Sequence, residues 1–235
     1  MNALLLCVVA QDSSKMTAGK LISTMFAKYS ASAATHGTIT MRQSLAGVTV
    51  QIDTKVQFES PSKLYIRQDR RSSDPASAII TSDGKYFSYN VPRELSGTTT
   101  QKRLVETVAQ RGARLGVREI YAITNSSLID RNLALDVLIG RTEHLRYRKG
   151  QWASFALTTG QNGSYVITGS WREDEATPVT GKFEMNLLKD GTLKRYIVRE
   201  VVTVEGRAPE TITTDYQVDL EINSKGSQEL YKLVR

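Results

Sequence analysis

Along the chain, apolar and polar residues change period several times, and each change marks an element. Over residues 14–29 the apolar positions Leu21, Ile22, Met25, Phe26 and Tyr29 form one stripe, with Lys15, Lys20 and Lys28 mostly elsewhere. That spacing predicts an amphipathic first helix. Gly37, after a stretch of small residues, marks the change of period.

The clearest strand follows. Val48, Val50, Ile52, Val56 and Phe58 alternate with Thr49, Gln51, Asp53, Lys55 and Gln57, and only Thr54 softens the apolar face. Such alternation buries one face and wets the other, as in an antiparallel sheet. Ser60-Pro61 ends the strand, because proline cannot donate to a central ladder. Residues 63–68 resume the alternation through Leu64 and Ile66.

Residues 78–81, then Ser82-Asp83-Gly84, then residues 85–89 read as a hairpin. The Asp-Gly pair predicts a tight turn in which both central residues take positive φ. A second copy runs over residues 183–188, turns on Asp190-Gly191 and returns through 192–204. Ile212, Tyr216, Val218, Leu220 and Ile222 outline a last long strand, and residues 152–157 and 164–171 are further strand candidates.

Helices are expected in between. Residues 101–115 carry Leu104, Val105, Val108 and Leu115; residues 118–139 carry Ile120, Ile123, Leu128, Leu133, Val137 and Leu138, with a break at Asn125-Ser126-Ser127. No Pro-, Gly- or Ser-rich linker divides the chain. Strands, a central pair of helices and more strands describe one α+β domain.

The N-terminal residues change the picture in another direction. Residues 3–10 form a short apolar run, far below the about 20 apolar residues that span a bilayer. The run fits the apolar region of a secretory signal, with Val8-Val9-Ala10 as the cleavage site before Gln11, although the positive segment that should precede it is missing. The expectation is a truncated signal peptide over 1–10, a single domain over 11–235 and an exported protein; a buried N-terminal strand is the alternative. Cys7 is the only cysteine and lies inside the run, so cleavage would leave no thiol chemistry. Leu6 stands where a lipid-attachment site would need a small residue.

Charge adds little. The net charge of +7 is spread along the chain, and its densest group, Arg67 with Arg70 and Arg71, is interrupted by Asp69 and followed by Asp74. This reads as a solvated basic surface, and no nucleic-acid-binding motif accompanies it, so no nucleic-acid partner is expected. Catalytic signals are equally sparse. The two histidines, His36 and His144, stand beside no nucleophile motif, and no cluster has metal-ligand spacing. Asp83 and Asp190 fit turn chemistry better than acid–base work. Neither an enzyme nor a cofactor is expected.

The strongest remaining signal is apolar. Val50, Ile52, Val56, Phe58, Leu64, Ile66, Phe87, Tyr89, Phe183, Met185 and Leu187 would share one face of the sheet. Such a face must be covered by helices or folded around a ligand. With only about three helices in the sequence, two readings stay open. The face is a closed core, as most such faces are, or it lines a cavity.

A family resemblance bears on that choice. The run from Val56 through Ser60-Pro61 to Ile66, then Ser82-Asp83-Gly84-Lys85, then Tyr89-Asn90-Val91-Pro92 resembles the signature of LolA-like proteins. Gly181-Lys182-Phe183 with Asp190-Gly191-Thr192-Leu193 is similar to the second half of that family. The resemblance implies an incomplete antiparallel β-barrel, a curved sheet around a hydrophobic cavity with helices as its lid. It further implies a monomeric periplasmic binder of a lipid or of the acyl chain of a lipoprotein, or else an envelope sensor that reports to a membrane-anchored protein partner. One landmark departs: the carrier places an arginine before the strand-ending proline to help hold the lid, and this chain has Ser60.

Overall fold

In the computed structural model the described residues are 16–45, 47–71, 76–95, 98–110, 113–140, 154–160, 163–171, 181–202 and 208–233. The expected leader, Cys7 and His144 lie outside them. Thr17 starts the first helix, α1 (Ala18–Ser30), by accepting a hydrogen bond from the Lys20 amide at 3.2 Å. This satisfies one of the amides that a helix N-terminus leaves without an internal partner. The helix buries Leu21, Ile22, Met25 and Tyr29, members of the apolar stripe.

Strands then follow in an unbroken meander: β1 (Ala34–Leu45), β2 (Val48–Glu59), β3 (Lys63–Arg71), β4 (Ala76–Asp83), β5 (Tyr86–Leu95) and β6 (Thr98–Thr107). A small ladder of β7 (Ala109–Gln110) with β8 (Ala113–Arg114) leads to α2 (Val117–Thr124), a 3₁₀ turn over Asn125–Ser127 and α3 (Leu133–Leu138). A second meander comprises β9 (Ser154–Thr159), β10 (Tyr165–Trp171), β11 (Gly181–Leu187), β12 (Leu193–Val202) and β13 (Glu210–Ile222). The two meanders join through an antiparallel β1–β13 ladder into one 11-stranded sheet, in the order β6-β5-β4-β3-β2-β1-β13-β12-β11-β10-β9. The sheet is open: β6 and β9 are its edges, and no ladder closes it among the described residues. This is the incomplete antiparallel barrel with helices on its inner face that the landmarks imply.

Three expectations need correction. Residues 101–107 are strand, not helix: β6 pairs along its length with β5, and the helix-like spacing of Leu104 and Val105 resolves into two faces, with Val105 53% exposed. β1 starts at Ala34, so Gly37 sits inside a strand whose alternation its small residues conceal. The Asp83-Gly84 turn is not the doubly positive-φ type either. Only Gly84 has positive φ, at 90°, while the Asp83 carboxylate accepts from the amides of Lys85 at 2.7 Å and Tyr86 at 2.8 Å. The side chain itself builds the turn.

Gly37 has a separate reason to be glycine. Its φ is +144°, and a Cβ there would lie 2.1 Å from the Asp219 carbonyl oxygen on the neighbouring strand. Only a residue without a side chain tolerates both.

Candidate functional site

The inner face of the sheet collects the predicted apolar set in one place. Ile52, Val56, Leu64, Ile66, Phe87, Tyr89, Phe183, Met185 and Leu187 are buried in a single cluster, and half-buried Val50 and Phe58 pack against it. Residues of α1, α2 and α3, among them Met25, Ile120 and Leu135, complete that cluster. Over most of its extent the face is therefore covered by helix side chains.

Cover fails at one end. A cavity of about 300 Å³ opens between α1, the β2–β3 turn, the start of α2 and the end of α3. Its lining comprises Phe26, Tyr29, Ser30, Ser32, Phe58, Ser60, Pro61, Val117, Arg118, Leu138, Ile139 and Gly140. Buried Tyr29 and Leu138 and half-buried Phe26, Phe58, Val117 and Ile139 make an apolar wall, while exposed Ser30, Ser60 and Arg118 form a polar rim beside exposed Pro61. Of the eleven predicted lining residues, Phe58 reaches this cavity; the walls otherwise come from helix and turn residues. The signal that could have found them is the strand-ending Ser60-Pro61 landmark, which sits on the rim.

Each element around the cavity is held by polar contacts. The α1 helix lies on the β11–β12 turn, where Lys28 Nζ contacts Asp190 Oδ2 at 2.5 Å and Thr192 Oγ1 at 2.6 Å. The Leu193 amide donates to the Tyr29 hydroxyl at 3.3 Å, and burial pushes that phenol up to about 12. Gly191, with φ +80°, lets the turn reach the helix backbone, since a Cβ there would lie 2.9 Å from the Met25 amide nitrogen.

The β2–β3 turn is fixed from both sides. The Ser60 amide donates to the Ala33 carbonyl at 2.9 Å, and the Val117 amide at the start of α2 donates to the Pro61 carbonyl at 3.0 Å. Buried Ser62 donates to the Leu115 carbonyl at 2.6 Å and accepts from Arg114 Nε at 3.2 Å. The connection into α3 is latched to the sheet at Thr54, the one polar position on the apolar face of β2. Thr54 Oγ1 accepts from Asn132 Nδ2 at 3.1 Å, and Asn132 Oδ1 in turn caps α3 through the Leu135 amide at 3.0 Å. Gln68 spans the Asp130 backbone, donating to its carbonyl at 3.0 Å and accepting from its amide at 3.2 Å. Unpaired buried polar groups are costly, so these bonds fix the helices against the sheet.

Other candidate chemistry stays dispersed. The His36 ring lies 3.2 Å from the Ser224 carbonyl oxygen and 3.7 Å from Glu221, away from the cavity lining. Among the described residues no group of three or more His, Cys, Asp or Glu side chains could hold a metal ion, and no helix is long and apolar enough to cross a membrane.

Solved structures give matches along nearly the whole chain at very low identity. LprF from Mycobacterium bovis is 6% identical, with 91% of this chain and 97% of LprF covered at a TM-score of 0.36. A LolA superfamily protein, NE2245, from Nitrosomonas europaea is 8% identical, with 93% and 99% covered and a TM-score of 0.32. A DUF1329 family protein from Desulfovibrio piger is 11% identical, with 90% and 94% covered and a TM-score of 0.31. At TM-scores this low the likeness carries no argument. No family model and no curated protein matches the chain.

Proposed function

We propose that this chain is a non-enzymatic binding protein of the cell envelope that shelters a lipid or the acyl chain of a lipoprotein. The observation that carries the reading is the break in helix cover, an apolar-walled, polar-rimmed cavity between three helices and the Ser60-Pro61 turn. Burying methylenes supplies about 0.8 kcal/mol each and needs no reacting group. Export is part of the proposal and is supported by the apolar run over residues 3–10.

Mass spectrometry of lipid extracted from the purified protein tests this, together with titration by a fluorescent fatty acid. Co-purifying lipid and saturable binding are expected. Clean protein that binds no fatty acid would overturn the reading.

A second reading, a sensor or regulatory protein that meets a membrane-anchored partner, draws on the opposite end of the sheet. Leu45 and Val48 at the β1–β2 tip and Val201 and Val202 at the end of β12 are 38%, 66%, 47% and 36% exposed. They share one end because Ser44 pairs with Thr213 and Val201 with Thr211. A pull-down from membranes that recovers one protein with the native chain and loses it with Val48→Asp would favour this role.

A further inference from the structure

Among the described residues, the rim of the cavity carries a cation without a counter-charge. Arg118 stands in the first turn of α2, and among the described residues its guanidinium has no carboxylate within ion-pairing distance. This placement is unfavourable by itself, since the N-terminus of a helix is its positive end and favours anions. The neighbouring acid does not compensate: the Glu119 carboxylate turns back to accept from the Gly116 amide at 3.0 Å. Lys28 on α1 is already paired with Asp190.

The rim hydroxyls divide in a telling way. Ser30 donates to the Ala27 carbonyl at 3.2 Å and Ser32 to the Ala34 carbonyl at 2.6 Å. The Ser60 hydroxyl has no partner among the described residues, and it lines the same cavity as Arg118. A guanidinium and a hydroxyl, both able to donate, thus stand over an apolar wall built by Phe26, Phe58 and Leu138. The size of the space limits its occupant: about 300 Å³ is at the low end of the roughly 300–1,000 Å³ of small-molecule sites. It suits one chain.

We propose that the cavity takes a single-chain amphiphile with an anionic head, a carboxylate or a phosphate, and that Arg118 with Ser60 holds that head at the rim. This rests on the acyl-chain reading above. The chain goes inward against the aromatic wall, and the head meets the guanidinium where the positive end of α2 adds to its field. Arg118 recognises charge, and the wall recognises length.

Calorimetric titration of the full chain with decanoate, decyl phosphate and decanol separates the terms. At least one of the two anions binds about ten-fold or more tighter than decanol, the size of one charge-assisted hydrogen bond. The better anion identifies the head. In Arg118→Gln the advantage of the better anion over decanol disappears, and Arg118→Lys restores part of it. Circular dichroism checks that both variants fold, as expected for an exposed side chain. Decanol binding as tightly as both anions, or an advantage that survives in Arg118→Gln, overturns the role of Arg118 and leaves the cavity reading standing. If none of the three binds, the cavity reading falls and takes this inference with it.

Discussion

Lys28 and Asp190 are 162 positions apart in the chain and meet at 2.5 Å, joining α1 to the β11–β12 turn. The contact lowers the Asp190 carboxyl from its ordinary 3.8 to about 2, chiefly through the hydrogen bond from Lys28. A carboxyl that is more acidic folded than unfolded stabilises the fold fully above its unfolded value and loses that contribution as pH falls toward its folded one. The stability gap between the native chain and Asp190→Asn, measured by urea unfolding, is therefore expected to be open near neutral pH and to close between 3.8 and about 2. Asp190 is 60% exposed, so the gap is small and shrinks further with added salt. A gap that persists unchanged to the acid end would show that the pair does not act as described.

Gly37→Ala should destabilise strongly for its size. The positive φ alone costs about 1–3 kcal/mol for a residue with a side chain, and the new Cβ meets the Asp219 carbonyl at 2.1 Å. Urea melts would show this as a lower midpoint at unchanged slope. A midpoint within experimental error of the native chain would mean that the β1–β13 ladder yields at Gly37 to admit a side chain.

How much of this was legible in the sequence depends on what each residue faces. β2 could be read directly, because Ile52, Val56 and Phe58 look inward and Lys55 and Asp53 look out. β1 could not, since Thr35 is fully buried while its small neighbours carry no contrast. Residues 101–108 carry a false period: Leu104, Val105 and Val108 fit a helix, and only the pairing of β6 with β5 decides otherwise, although Thr98-Thr99-Thr100 is an available β-branched signal. The cavity was the least legible part. Its walls are assembled from α1, the β2–β3 turn, α2 and α3, and no local pattern records which residues of four separate segments will face a common space.

Thr54→Val should loosen α3 without emptying the core. Asn132 Nδ2 at 3.1 Å and Gln68 Nε2 at 3.4 Å would lose their shared acceptor. Leaving a buried donor unsatisfied costs about 1–3 kcal/mol. Hydrogen exchange should speed up over residues 130–138 more than in β2 itself. Equal acceleration in both would argue for global destabilisation and against a latch.

Val56→Asp and Phe58→Asp should behave differently although they lie two positions apart on one face. Val56 is fully buried in the core, so an unpaired carboxylate there should prevent folding. Phe58 is half-buried on the cavity wall, where water can reach a charge; its variant should fold and lose fatty-acid binding. Circular dichroism and a fluorescent fatty acid distinguish the two outcomes. Unfolding of both variants would indicate that the cavity is sealed core.

The place where β1 meets β13 has a consequence for how the protein comes into being. Every other ladder of the large sheet forms within one half of the chain, whereas this one pairs Thr35 with Ile222 at one end and Ser44 with Thr213 at the other. It encloses the longest loop and is expected to close late. During synthesis the first half must wait with β1 as a bare edge until the last strand has left the ribosome. A chain cut short before residue 210 would thus lose its middle, leaving two half-sheets that each expose an edge to whatever strand comes next.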